Sequence, residues 1–211
     1  MVRRRMDKAL NTTAKPYHHG ALREALLVAA ERILERDGIT GLTLRAAARE
    51  AGASHAAPKN HFEDLTALLS ELAAVGISRF TDSLLAAAAR QATPQSRLDA
   101  IGRAYVEFAV ANPGLFQLMF RSERLDRTRP ALRREMDRSL QTLRDAVAAA
   151  HPVASSTEDG AALGAAYTVR AWAMVHGFAM LLLDGRLSPI LDSEPSDLDP
   201  MHLLGAMLAL D

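Results

Sequence analysis

Thr43 to Phe62, TLRAAAREAGASHAAPKNHF, is the stretch that decides the fold. Thr43 is a side-chain acceptor placed to cap a helix that starts at Leu44. Leu44, Ala47, Ala48 and Ala51 then share one face, while Arg45, Arg49 and Glu50 reach water. Gly52 supplies the backbone freedom of a helix stop. Ser54 is placed to cap a second short helix, with Pro58 near its start. The small alanine side chains let the two helices approach closely, as a helix-turn-helix requires. The second helix presents His55, Lys59, Asn60 and His61, a surface suited to a major groove and its bordering phosphates. Spacing alone also fits two ordinary surface helices around a glycine turn.

Working outward, 211 residues with 49% hydrophobic content suffice for one substantial core, or for a small and a larger helical unit. No cysteine is present, which excludes disulfide and thiol chemistry and suits a reducing cytosol. The first twenty residues are basic but lack an apolar run, so no secretion signal is expected. The apolar stretches read as too short or too interrupted to cross a bilayer. Net charge is zero, yet residues 1–70 carry eleven Lys/Arg against eight Asp/Glu, and residues 71–211 fourteen against seventeen. A positive end on a neutral chain points to a local polyanion contact.

Helical spacing predicts a helix from about Ala21 to Arg36, with Leu22, Leu26, Ala29, Ala30, Ile33 and Leu34 inward and Asp37-Gly38 as its stop. A long helix capped by Asp64 runs towards Arg90 and links two units mechanically. After a break at Gln91–Gln95, Ser96 is expected to cap a helix ending before Asn112-Pro113-Gly114. LFQLMF, Leu115 to Phe120, is a short helix, and Arg121 to Arg129 a charged loop. Pro130 opens the next helix. His151 to Thr157 is a loop, and an apolar helix follows from about Glu158 to Leu183. Pro189 to Pro195 reads as a connector, and Leu198 to Leu210 as a last helix interrupted by Pro200. No alternating strands occur. The chain is expected to be all-α, with residues 1–19 a flexible basic arm, 20–65 the helix-turn-helix head and 66–211 a helical regulatory and dimerisation domain.

Ala165, Val169, Ala173, Met180 and Leu183 recur at helical steps on one helix, and Met201, Leu204 and Leu208 on the last. Pairing both with their two-fold copies would bury this surplus apolar surface as a homodimer. Tyr105, Phe108, Phe116, Met119, Phe120, Met136, Leu140, Trp172 and His176 could line an apolar ligand pocket or fill a packed core. Neither a metal-ligand spacing, a phosphate-cradling glycine loop nor a catalytic triad pattern is present. No cofactor, metal or enzymatic activity is therefore expected.

Tyr17 to Leu72, YHHGALREALLVAAERILERDGITGLTLRAAAREAGASHAAPKNHFEDLTALLSEL, resembles the DNA-binding head of the TetR/AcrR family of bacterial transcriptional regulators. ANPGLFQLMF and WAMVHGFAMLLLDG resemble the subgroup whose C-terminal domain is named for Trp, His and Gly. The resemblance implies a cytoplasmic homodimer bound to a near-palindromic duplex operator and released by a small-molecule effector. It implies a phosphate contact at Thr43 and a recognition segment over Ser54 to His61. Arg45, Tyr17 and His18 are further backbone candidates, whereas Ser54 reads as a cap before a reader. Lys59 stands where the family commonly has tyrosine, replacing a rigid ring and hydroxyl with a mobile cation. A helical, dimeric ligand sensor that has lost operator binding is the alternative.

Overall fold

A computed structural model of the chain describes residues 19–121, 123–153, 157–193 and 198–210. The arm, with Tyr17 and His18, lies outside the described residues. Every regular element among the described residues is helical: α1 (His19–Gly41), α2 (Leu44–Glu50), a 3-10 turn (Ala57–Asn60), α3 (Leu65–Ala88), α4 (Pro94–Ala111), α5 (Pro113–Arg121), α6 (Pro130–Ala150), α7 (Glu158–Leu183), α8 (Ser188–Leu191) and α9 (Pro200–Leu208).

In α1, Leu26, Ala29, Ala30, Ile33 and Leu34 are buried, the stripe that their spacing predicts. The helix breaks at Gly38, which adopts φ 70°, a left-handed conformation that glycine takes without steric cost; a short turn carries on to Gly41. Thr43 caps α2, its hydroxyl accepting the Ala46 N–H at 3.0 Å. Gly52 follows at φ 67° and turns the chain.

The next segment departs from expectation. Ser54 makes no side-chain cap, and the element it was to open is a single 3-10 turn, Ala57–Asn60. In an α-helix begun after Ser54, residue 58 would donate the first N–H to the Ser54 carbonyl. Pro58 has no N–H, and its ring would crowd that carbonyl. The Ala57 N–H closes a tighter bond on the Ser54 carbonyl at 3.1 Å instead.

α3 begins as predicted, with the Asp64 carboxylate accepting the Ala67 N–H at 2.7 Å. It is the shared wall of the molecule. Leu68, Leu69, Leu72, Ala73, Ile77, Phe80 and Leu84 are buried, and the helix packs against α1, α4, α5 and α6. Its two buried hydroxyls are satisfied. Thr81 donates to the Ile77 carbonyl at 2.8 Å, and Ser70 accepts the Asp126 N–H at 2.9 Å.

Three boundaries move at prolines. Pro94 is the first residue of α4, so Thr93 is the cap, and Ser96 answers it in a capping box. Pro200 likewise opens α9 behind the Asp199 cap and does not interrupt it. Pro189 sits in the one-turn α8 where a plain connector was expected. In each case the fixed φ of proline suits a first turn, where its missing N–H costs little. A fourth correction concerns length. α7 has 26 residues and a mean hydropathy of 1.3 over its best window, long and apolar enough to span a bilayer on those criteria alone. Only 17% of that window is buried within the chain.

The head is joined to the body through α5. The Glu35 carboxylate, late in α1, accepts the N–H groups of Gly114 at 3.1 Å and Leu115 at 2.9 Å. These are donors that the start of α5 cannot satisfy within its own helix, at an end that favours negative charge. Approach is so close that a Cβ on Gly114 would lie 2.9 Å from the Leu34 carbonyl oxygen. Because that neighbour is backbone, Gly114→Ala should destabilise the fold by about 1–3 kcal/mol. Chemical denaturation of both proteins would show it as a lower midpoint with an unchanged slope.

Candidate nucleic-acid interface and ligand cavity

The head presents a polar edge. Thr43, Arg45, Ser54, His55, Lys59 and Asn60 are exposed, and His61 is half-buried. Beneath them Phe62 and Pro58 are buried, so the segment rests on an apolar footing. The Arg23 guanidinium stands 5.5 Å from the Phe62 ring centre and pairs with Glu71 of α3, fixing that footing to two helices. The Thr43 oxygen accepts a backbone N–H, which leaves its own proton for an outside acceptor such as a phosphate. The structure thus leaves six of the nine expected contact residues at the surface and half-exposes a seventh. The remaining two lie outside the described residues.

The body holds a partly open cavity of about 550 Å³ between α3, α4, α6 and α7, with α5 and α9 closing parts of its wall. Of the nine pocket candidates, Tyr105, Phe120, Met136, Leu140 and Trp172 line it. The other four stand behind the wall. Phe116 is fully buried and packs on Phe120 with ring centres 4.8 Å apart. Phe108 packs edge-on against Phe80 at 5.3 Å. Met119 is turned to Gly76, where an added Cβ would meet its sulfur at 2.9 Å. His176 holds the Tyr105 hydroxyl at 2.8 Å through Nδ1. Helical spacing places these residues on the right helices, but facing angle decides which touch the space.

Donor chemistry orders the polar group in that wall. The Trp172 indole N–H points at the Tyr105 oxygen from 3.4 Å, and indole only donates. The Tyr105 hydroxyl and Nδ1 of His176 share the second bond, whose direction follows the histidine tautomer. Burial pushes the Tyr105 phenol well above the usual tyrosine range, so it stays neutral at physiological pH.

Several rim residues escaped sequence reasoning. Gln95, Asp99, Asp137, His151, Tyr167 and Arg170 bring polar groups to an otherwise apolar cavity. His151 stacks on Tyr167 at 4.5 Å with planes 7° apart, and the Arg170 guanidinium stands 6.0 Å from the same ring. His151 and Tyr167 lie on either side of a loop, and no periodicity links them. Asp99 had a legible signal, since it adjoins the inward stripe Leu98, Ile101 and Tyr105.

The dimer candidates divide. Ala165, Val169 and Ala173 are exposed on α7, Val169 to 62%. Met180, Leu183 and Met201 are partly buried against the chain's own core. Leu204 is fully buried, and Leu208 packs over Gly102 and lines the cavity. Leu204 is corrected from interface to interior, because α9 packs on α4, whereas Leu208 is partly buried.

Fold and site together define a helix-turn-helix head on a cavity-bearing helical body. The family model described as "Tetracyclin repressor-like, C-terminal domain" matches residues 98–200. An uncharacterised HTH-type transcriptional regulator, YobS of Bacillus subtilis (strain 168), is 28% identical over 98 residues, 46% of this chain; the match spans about half (51%) of that protein's length. A solved protein of unknown function from Rhodococcus sp. RHA1 is 35% identical, covering 92% of this chain and 95% of that one, with a TM-score of 0.73. AibR, solved in complex with isovaleryl coenzyme A and operator DNA, shares the fold at 16% identity and a TM-score of 0.60, covering 90% of this chain and 97% of its own. The body thus matches the tetracycline repressor-like C-terminal domain over just under half of the chain, and the chain shares the fold of a TetR family transcription regulator from Marinobacter aquaeolei VT8, 19% identical at a TM-score of 0.60. The body's match is to the tetracycline repressor-like domain, so the Trp-His-Gly subgroup stays a resemblance.

Raised phenol ionisation has a sign that can be checked. The unfolded chain loses a tyrosine proton near pH 10, whereas folded Tyr105 keeps it. Stability from this group is thus full below pH 10 and is lost as pH climbs towards the folded value. Phenolate absorbance of wild type minus Tyr105→Phe should show a step only above the ordinary tyrosine range. A difference step centred at pH 10 would mean that the ring is solvated.

Proposed function

We propose that the chain is a transcriptional repressor that binds a near-palindromic operator as a homodimer and is released by a small apolar molecule held in the body's cavity. The observation that carries this reading is the exposed set His55, Lys59 and Asn60, held on the buried Pro58–Phe62 footing at one end of the head. Residues 20–65 act as the DNA-binding head, with residues 66–211 as the regulatory and dimerisation domain. Lys59, Arg45 and Thr43 hold phosphates, while His55 and Asn60 face base edges. A protein of this kind works in the cytoplasm on the bacterial chromosome.

The dimer rests on α7. Val169 and its exposed alanine neighbours form an apolar strip that this chain leaves uncovered, and two-fold pairing would bury it. The effector reading rests on the cavity's size, its aromatic wall and its polar rim. AibR, which shares the fold and was solved in complex with isovaleryl coenzyme A and operator DNA, supports this reading. Coupling has a physical path, because α5 offers Phe120 to the cavity at one end and receives Glu35 of α1 at the other. A ligand that displaces Phe120 favours one seating of α5, and with it one angle of the head. Such a ligand must bind the two seatings with different affinity.

One observation favours a second reading, a ligand sensor without an operator. The recognition segment is a single 3-10 turn with lysine in place of the family's tyrosine. Binding-site selection from random duplexes separates the two. An enriched, near-palindromic motif is expected, and salt-sensitive background binding alone would support the sensor.

Lys59→Ala gives the residue-level check. Removing one backbone cation per head should weaken binding to every sequence and flatten the plot of log affinity against log salt by about 0.9 per lost contact. An unchanged slope would take Lys59 off the interface.

A further inference from the structure

The body carries a basic surface that the proposed operator contact does not use. Residues 121–134, RSERLDRTRPALRR, hold six arginines against two carboxylates; the rest of 71–211 holds eight basic residues against fifteen acidic ones. A positive island on an acidic body calls for a physical reason. Its place makes the need sharper, since Arg129, Arg133 and Arg134 cluster at the start of α6, the helix end that disfavours cations.

The loop is strapped to the head's own wall. The Asp126 N–H bonds the buried Ser70 hydroxyl of α3 at 2.9 Å, and the Arg129 guanidinium reaches Glu63 at 3.1 Å. Glu63 follows the recognition segment directly and is 85% exposed at its side chain. A carboxylate there would repel an approaching phosphate; Arg129, supplied by the body, neutralises it. Ser70 lies six residues beyond the Asp64 cap, roughly 9 Å along the helix axis. The strap therefore sits within an arginine's length or two of the proposed DNA-facing end.

Of the loop's two acidic groups, Glu123 is exposed and Asp126 is tied up within the loop. Asp126 accepts both the N–H and the hydroxyl of Thr128, at 3.0 and 2.6 Å, and those bonds hold its carboxyl below the usual range. Arg124, Arg127 and Arg133 are exposed. Arg127, between the two straps, makes no ion pair among the described residues.

We infer that Arg124 and Arg127 form a second phosphate-binding surface, which engages the duplex outside the motif read by the recognition segment. This rests on the proposed operator binding and extends it: the head supplies sequence, and the loop supplies contact with flanking backbone of any sequence. The loop joins α5 to α6, so it also stands at the end of the helix that the cavity touches through Phe120.

The test uses the full chain and the duplex enriched by selection, made in two lengths: the motif alone, and the motif with one helical turn of arbitrary sequence (about 10 bp) on each side. Wild type should bind the longer duplex more tightly. In the Arg124→Gln/Arg127→Gln variant that advantage should vanish, with affinity for the long duplex falling on the order of tenfold near 0.1 M salt and the salt slope dropping by about 0.9 per lost contact. Affinity for the short duplex should hold. Arg144→Gln, an exposed arginine far along α6, should match wild type on both. Circular dichroism melting confirms that each variant is folded, and Arg127→Glu alone should reproduce the loss if the double variant melts early. A variant indistinguishable from wild type on both lengths overturns the inference while leaving operator binding intact. Equal weakening on both lengths also overturns it, since the arginines would then act through the head. If wild type binds neither duplex, operator binding fails and the inference falls with it.

Discussion

Two backbone N–H groups at the start of α5 have no partner in their own helix, and the carboxylate of Glu35 takes both. That exposed anion seats the head on α5, alongside the packing of α1 on α3 and α5. It is directional, because a carboxylate accepts two N–H groups only from in front of the helix end. It also needs room, which Gly114 provides by having no side chain beside the Leu34 carbonyl. Further charge pairs, Arg79 with Glu31 and Arg129 with Glu63, brace the same relation from exposed positions where each is worth little alone.

From that seat α5 runs into an aromatic nest. Phe80 of α3 stands at its centre, with Tyr105, Phe108 and Phe120 packed edge-on at 5.0, 5.3 and 6.0 Å. Edge-to-face rings leave angular gaps that aliphatic side chains would fill, and they hold their positions by quadrupole as well as by area. The cavity opens beside this nest. Its wall is stiff where the rings interlock, and Tyr105 and Trp172 bring a hydrogen-bonded pair to it that His176 backs from behind. A site of this kind selects an apolar body by shape and leaves polar discrimination to the rim.

Charge is distributed with the same economy. The chain is neutral overall, yet its basic excess gathers in residues 1–19, five against one, and in the loop 121–134, six against two, while the head over 20–65 holds six against seven and the rest of the body is acidic. Net charge would predict indifference to a polyanion; the local field predicts attraction at one end. Glu63 is one of the head's seven carboxylates, and Arg129 answers it from another part of the chain.

Local chemistry was enough to make much of this legible. Thr43, Asp64 and Thr157 announce helix starts because a side-chain oxygen three residues ahead of an orphan N–H is a local fact. The inward stripes of α1 and α3 follow from periodicity alone, as does the absence of strands. Pro58 could have been read correctly too, since a proline four residues after Ser54 cannot supply the bond that an α-helix there requires. Tertiary structure alone decided what depends on facing angle and on residues far apart in the chain. It put Phe116 and Met119 behind the cavity wall and Phe120 on it, and it turned Leu204 inward. It also joined Glu35 to α5, His151 to Tyr167 and Arg129 to Glu63. A sequence specifies which residues share a helix face; only packing specifies what that face meets.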